Sequence, residues 1–141
     1  YGARNRENER ALGTKAIEAT SLRRLMQALR SHQQVAVAAD VPADHAAANE
    51  TISIIGLQAR VPRGLFRIAA DSNVPMFVYL TGIRMTDGKR TLKITPLASG
   101  LDARALMVDA FALLQQAITE DPAAWHFWKV APRFFHDPED P

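Results

Sequence analysis

The spacing of hydrophobic residues predicts three helices along the chain. LRRLMQALR repeats leucine or methionine every three or four positions behind the N-cap candidates Thr20 and Ser21, which predicts an amphipathic helix through Ser31. A second helix is expected from Pro62 to Asp71, because proline is favoured at the first helical position. The longest helix is expected over residues 102–120, where a wide apolar stripe would face the core.

Apolar runs without helical spacing predict the strands. VAVAA at 35–39 and PMFVYL at 75–80 are continuous apolar runs, as in strands that are buried on both faces. The dipeptide DG between the extended halves of IRMTDGKRTLKI, residues 83–94, is a strong hairpin signal. Shorter strands are expected at TKAIEA, residues 14–19, and at ETISII, residues 50–55. Strands that alternate with helices predict an α/β fold with a mixed, largely parallel sheet flanked by helices.

The composition is that of an ordinary globular chain. Its 141 residues suffice for one domain, taken as residues 1–141, and 48% of them are hydrophobic. A net charge of +2 argues against a nucleic-acid partner, and the longest apolar run is far shorter than the ~20 residues that span a membrane. Nucleotide-binding and serine-hydrolase motifs are missing from the sequence. The histidines lack partners at metal-ligand spacing, so neither a metal nor another cofactor is expected.

Four polar residues are candidates for binding a ligand. Asp40 would end a buried strand, where open α/β sheets place their ligand crevices, although it could also cap the turn that follows. Arg84 could bind a phosphate or sugar, or it could be a solvated hairpin arginine. Arg60 and Arg63 flank the predicted helix N-terminus, which suits a phosphate anion, with plain surface charge as the alternative.

Two further groups of side chains have both a functional and a structural interpretation. Arginines on one side of the first helix could contact an acidic carrier protein or an anionic lipid, or simply face solvent. Aromatic residues near the C-terminus could form an acyl-chain or membrane-facing surface, but the slightly favoured interpretation is that they fasten the last helix to the core. They are Trp125, Phe127, Trp128, Phe134 and Phe135.

Three segments stand in an order that is typical of one protein family. LRRLMQALRSHQQVAVAAD is a helix, turn and strand that end on an aspartate, and GLQARVPRGLFRIAADSNVPMFVYLTGIRMTDGKRTLKITPL adds a turn, a helix, a strand and a hairpin. AITEDPAAWHFW places a proline before an aromatic-rich stretch. This order resembles the C-terminal part of the lysophospholipid acyltransferase superfamily, in particular the bacterial lipid A (late acyl chain) acyltransferase branch. The resemblance implies a glycerolipid-acyltransferase-like fold that is incomplete at its N-terminus.

The resemblance also implies a function. Members of the family move a fatty acyl group from acyl carrier protein or acyl-CoA, as co-substrate, to a hydroxyl of a lipid or glycolipid acceptor. A histidine acts as general base, and an acidic residue five positions later orients it. YGARNRENERALG at 1–13 resembles the segment that follows the family's catalytic pair, with Arg4 or Asn5 near the family's arginine block. Arg4 is therefore expected to bind substrate, and the pair is expected upstream of Tyr1. The protein would then lie on the cytoplasmic side of the bacterial inner membrane, in peripheral contact with it.

His45 and Glu50 have the family's catalytic spacing but lie in a different place. They follow the expected strand and aspartate, whereas the family's pair precedes them. Five steps along a helix rotate two side chains by roughly 140°, so this spacing alone does not form a pair. A chance spacing is therefore the interpretation, and catalysis by His45 and Glu50 is the alternative.

Two hypotheses follow for the whole chain. In the first, it is a fragment of an acyltransferase that is inactive alone and self-associates through apolar strands that its missing part would cover. In the second, it is a non-catalytic module of the same fold that recognises an acyl carrier or a lipid headgroup. An H-x-x-x-x-D/E segment shortly before Tyr1 would favour the first.

Overall fold

The computed structural model describes residues 22–41 and 49–136, and the chain divides into two compact units, 1–37 and 38–141. In the first unit, helix α1 runs over Leu22–Arg30, as the spacing predicts. His32 ends it with a left-handed backbone, φ 55°, and its N–H donates to the carbonyl of Leu29. The N–H of Gln33 donates to the carbonyl of Ala28, and the two bonds together form a Schellman motif that satisfies the last carbonyls of the helix.

The second unit begins with a tight hairpin that the sequence interpretation missed. Strands β1, Asn49–Ile54, and β2, Leu57–Pro62, pair antiparallel, with Ile54 opposite Leu57. The two intervening residues, Ile55 and Gly56, both have positive φ, 51° and 80°, as a type I′ turn requires. The N–H of Ile55 donates to Gln115 Oε1 at 2.8 Å, which compensates a conformation that a β-branched residue seldom adopts.

Helix α2 covers Gly64–Asp71 and helix α3 covers Ala103–Glu120. The predicted bounds of α3 are confirmed, with Asp102 as N-cap accepting a hydrogen bond from the Ala105 N–H at 2.8 Å. The predicted start of α2 is wrong, because Pro62 ends β2 and Arg63 is the N-cap residue. Proline suits the end of a strand, where its missing N–H is not needed for the ladder.

Strands β3, Phe77–Ile83, and β4, Arg90–Pro96, form one long hairpin. The sequence interpretation divided the same residues into a strand at 75–80 and a shorter hairpin at 83–94. Asp87-Gly88 does lie in the turn, as predicted, with Gly88 at φ 68°. The Asp87 carboxylate accepts from Arg84 Nε at 2.9 Å and from the Lys89 N–H at 3.2 Å, which holds the turn in shape.

After α3 the chain turns twice through short 3₁₀ segments, Pro122–Ala124 and His126–Val130. Helix α4, Ala131–Phe134, leads into strand β5, Phe135–His136, which pairs with β2. The first sheet therefore has the order β1-β2-β5.

The core lies between this sheet, α2 and α3. Its largest fully buried side chains come from five different elements, so the second unit has a hydrophobic centre of its own. They are Phe66, Phe134, Ile54, Met107 and Val61.

The fold class is confirmed at the level of mixed helices and strands. Every strand pair among residues 22–41 and 49–136 is antiparallel, so the expected largely parallel sheet is not observed there. The expected strand at 35–39 is wrong, because those residues have no regular secondary structure. The expected strand at 14–19 lies outside the described residues. In the described part of the chain, the helices are too short or too polar to cross a membrane.

Candidate functional site

A cluster of charged side chains surrounds Glu50 on β1. The alternation of β1 places Glu50 in the same row as Ile52 and Ile54, which pack into or against the core. The carboxylate is therefore largely shielded from water, with a side chain only 16% exposed. A shielded carboxylate needs a compensating positive charge.

Two arginines supply that charge. Arg104 Nη1 lies 2.8 Å from Glu50 Oε1, and Arg63 Nη1 lies 4.0 Å from Glu50 Oε2. Oε1 is buried without an aligned hydrogen bond from the described residues, so its attraction to Arg104 is mainly electrostatic. The arginine side chains remain 49% and 74% exposed for Arg63 and Arg104, respectively.

These residues line an open depression of about 480 Å³ at the start of two helices. Arg63 is the N-cap residue of α2, and Arg104 is in the first turn of α3, two residues after its N-cap Asp102. Helix N-termini carry partial positive charge, which favours an anion nearby. At the start of α3 this partial charge is offset by the carboxylate of Asp102, whose Oδ1 accepts a hydrogen bond from the Ala105 N–H.

The depression is suited to binding an anionic oxygen group. A guanidinium carries five N–H donors, and the contacts with Glu50 occupy one nitrogen of each arginine. The remaining donors are available to a phosphate or carboxylate that enters from solvent. The lining thus combines two arginines with two carboxylates, the shielded Glu50 and the helix cap Asp102.

Among the predicted residues that the structure describes, only Arg63 and Glu50 are brought together here. Glu50 was expected as the acid of a chance pair with His45, but it serves as the counterion of two arginines. His45 and Arg4 lie outside the described residues. Sequence reasoning missed Arg104, although an arginine just after an N-cap aspartate is a recognisable signal for a charged helix start.

Asp40 has a structural partner. It lies at a bend, and its Oδ2 accepts a hydrogen bond from Trp125 Nε1 at 3.1 Å. The expectation that it ends a buried strand is wrong, since no strand precedes it in the described segment 22–41. Its distance from Trp125 in sequence, 85 positions, explains why the pairing was not foreseen.

Two other arginines that were predicted to bind a ligand, Arg84 and Arg60, do not line the depression. Arg84 is bound to Asp87 within the β3–β4 turn, as a hairpin arginine would be. Arg60 is exposed on β2, opposite Thr51. On α2, Arg67 pairs with Asp71 at 3.5 Å, the exposed i,i+4 pair that the surface interpretation expects.

The C-terminal aromatic residues pack mainly on one another. Trp125 is buried and contacts Phe134 and Phe135 with ring centroids 5.6 and 5.9 Å apart. Trp128 stacks edge-on against Trp125 at 4.8 Å and donates its indole N–H to the carbonyl of Pro122. This packing supports the structural interpretation, in which the aromatics join the C-terminal segment to the core.

Residues 22–41 and 49–136 contain no group of three His, Asp or Glu side chains that could hold a metal. Against known proteins, the chain matches no family model, no curated protein and no solved structure.

Proposed function

We propose that the chain binds a phosphate-bearing lipid or glycolipid at the Glu50 depression, as the C-terminal part of an acyltransferase of the lipid A type. The observation that carries the proposal is the proximity of Arg63 and Arg104 to the one carboxylate of Glu50, at 4.0 and 2.8 Å. The resemblance of the segment order to the acyltransferase superfamily supports the choice of reaction.

In this reaction the chain positions the acceptor. The acceptor hydroxyl attacks the thioester carbonyl of acyl carrier protein or acyl-CoA, the C–S bond breaks, and the carrier leaves as a thiol. The hydroxyl proton passes to a histidine base, which the proposal places upstream of Tyr1, and from the histidine to the departing sulfur. Arg63 and Arg104 would hold the acceptor phosphate by charge-assisted hydrogen bonds, which act on binding and orientation rather than on the reacting atoms.

The binding step is tested by isothermal titration calorimetry, in which the chain is titrated with inorganic phosphate and, separately, with a phosphorylated glycolipid. Arg63→Gln and Arg104→Gln should each weaken binding by about tenfold, because each removes one charge-assisted contact. Arg67→Gln is the matched control, since Arg67 is exposed on the same helix but pairs with Asp71. Equal affinity of all three variants and the unchanged chain would refute the site.

The reaction is tested separately with an acyl-transfer assay. The 141-residue chain alone should show no transfer from acyl carrier protein or coenzyme A, because the proposed base is not part of it. Turnover that disappears in His45→Ala would instead make His45 and Glu50 the catalytic pair. Activity of a longer reading frame with an upstream H-x-x-x-x-D/E segment would support the acyltransferase assignment.

A non-catalytic binding module is the second candidate. It is favoured by the hydrophobic centre that the second unit forms from its own residues, and by the commitment of Glu50 to two arginines. Such a module would recognise a lipid headgroup or an acyl carrier at the same depression. Phosphate binding together with a reading frame that lacks any upstream catalytic segment would select it.

A further inference from the structure

The β3–β4 hairpin exposes an apolar face. Directly opposed residues of an antiparallel pair lie on the same side of the sheet, so the pairing register shows which residues share this face. We call it the outer face. It consists of Phe77, Tyr79, Thr81 and Ile83 of β3 and of Arg90, Leu92, Ile94 and Pro96 of β4.

On β4, the polar side chains lie on the side of the hairpin that faces the core, and the apolar side chains lie on the outer face. On the opposite side of the hairpin, Leu80 packs against the core cluster, yet the β4 residues on that side are the polar Thr91, Lys93 and Thr95. The apolar Leu92 and Ile94 point outward instead. An antiparallel sheet with one solvated face normally shows the reverse pattern, with polar residues outward.

The exposed apolar area of the outer face lies in the upper part of the range that free monomers show. The five large hydrophobic side chains of the outer face are between 50% and 61% exposed. Since a large side chain offers roughly 150–250 Å², the face presents on the order of 500 Å² of apolar surface. The largest apolar patch on a typical monomer is about 300–600 Å² and is often functional.

We infer that the 141-residue chain pairs with a second copy of itself by packing the two outer faces against each other. Contact about a two-fold axis uses the same patch on both copies, which closes the assembly at two chains. The inference rests on the outer face and is independent of the proposed binding of phosphate at Glu50.

A second copy fits the face better than a lipid surface. Among the described residues, neither β3 nor β4 pairs with a third strand, so both edges of the hairpin carry unpaired backbone groups. Such edges are costly in hydrocarbon, whereas face-to-face packing of two sheets about 10 Å apart leaves them in water. The area of each face approaches, without reaching, the ~800 Å² per partner of a standard interface, so a weak dimer is expected.

The charges of the outer face are compatible with this arrangement. Its one charged residue is Arg90, which lies opposite Ile83 at the turn end of the hairpin. When the two hairpins run in opposite directions, Arg90 of each copy approaches the Phe77 end of the other. Like charges are then separated, and each guanidinium can lie over an aromatic ring.

The test is sedimentation equilibrium over a concentration series. The apparent mass should rise from 15.5 kDa towards twice that value. Ile94→Glu and Ile94→Lys should both raise the dissociation constant by about tenfold or more, because either places a charge in the apolar contact of both copies. Val108→Glu is the control, since Val108 is an exposed valine on α3, away from the outer face.

Crosslinking provides a second measurement that does not depend on charge. The chain has no cysteine, so Leu92→Cys introduces a single thiol on the outer face and should give a disulfide-linked dimer on mild oxidation. Val108→Cys should not. Circular dichroism melts check that each variant is folded.

Three results would overturn the inference. The first is a chain that stays monomeric throughout the series. In the second, Val108→Glu dissociates the dimer as fully as the Ile94 variants do. The third is a monomer that sediments with vesicles containing phosphatidylserine, is released by Ile94→Glu and is retained by Ile94→Lys, because that pattern identifies an anionic lipid surface. None of these results affects the phosphate titration, so the two proposals fail separately.

Discussion

The two long hairpins of the second unit direct their apolar side chains in opposite ways. In β1–β2, Ile54 and Val61 are fully buried, while polar residues such as Thr51 and Arg60 face outward. In β3–β4, strand β4 has the reverse arrangement, because its apolar residues Leu92 and Ile94 face away from the core.

The difference shows that alternation along a strand defines two faces without deciding which one the chain covers. The apolar face of β1–β2 is covered because α3 and the C-terminal segment pack against it. For β4 the apolar face remains uncovered by the described residues. A face of this kind is informative about a partner, since scattered exposed hydrophobic residues are normal but a contiguous row of them is not.

The largest expected effect comes from a matched pair of isoleucines. Ile54→Ala should lower the free energy of unfolding by about 2–5 kcal/mol, because it leaves a cavity in the core. Ile94→Ala, measured below the concentration at which the chain dimerises, should cost far less, since Ile94 is mostly exposed. Urea denaturation of both variants compares the hairpins directly, and equal losses would show that the outer face is buried in the monomer.

The next effect concerns the polar contact that fastens the C-terminal segment. Asp40→Ala should destabilise the chain by about 1–2 kcal/mol, because the partly buried Trp125 indole N–H loses its acceptor. Asp40→Asn retains an acceptor oxygen and should cost less. If Asp40 instead lined the acceptor site, Asp40→Asn would weaken glycolipid binding by more than its change in melting temperature explains.

A smaller effect is expected at the two turns. Gly56→Ala and Gly88→Ala should each destabilise the turn in which the glycine lies by about 1 kcal/mol, because φ is +80° and +68° at these positions. No other atom lies close enough to clash with the new methyl group. Gly56→Ala should lower global stability, whereas Gly88→Ala should mainly raise hydrogen exchange at the exposed tip of β3–β4. Loss of global stability in both variants would mean that the second hairpin unfolds together with the core.

The smallest effect is expected for Leu92→Thr. Threonine is β-branched and favours strands, and little apolar area is buried at this position in the monomer, so the free energy of unfolding should change by less than about 0.5 kcal/mol. Sedimentation should nevertheless show weaker self-association. A clear drop in monomer stability would contradict the assignment of Leu92 to an uncovered face.

Much of the local structure was predictable from the sequence. The spacing of apolar residues located α1 and α3, and the turn at Asp87-Gly88 was recognisable from a short motif. The β1–β2 turn was missed because Ile55-Gly56 lacks the usual asparagine or aspartate. Its second requirement, a hydrogen bond from Gln115 on α3, cannot be seen in the local sequence.

The candidate site was less predictable. Arg63 was identified as a possible phosphate ligand at a helix start, but its partners were not. Glu50 was considered only for its spacing from His45, and Arg104, 54 positions after it, was not considered at all. Its approach to Glu50 depends on how α3 packs against β1, which no pattern within either element specifies.

By itself, the sequence determined the features that depend on neighbouring residues: the bounds of α3 and the position of the β3–β4 turn. Tertiary structure decided that Pro62 ends a strand, that Asp40 binds Trp125, and which face of β4 points outward. The physical reason is the distance along the chain over which each kind of interaction acts. Propensity, capping and turn chemistry act over a few residues, whereas burial and ion pairing depend on which distant surfaces come together.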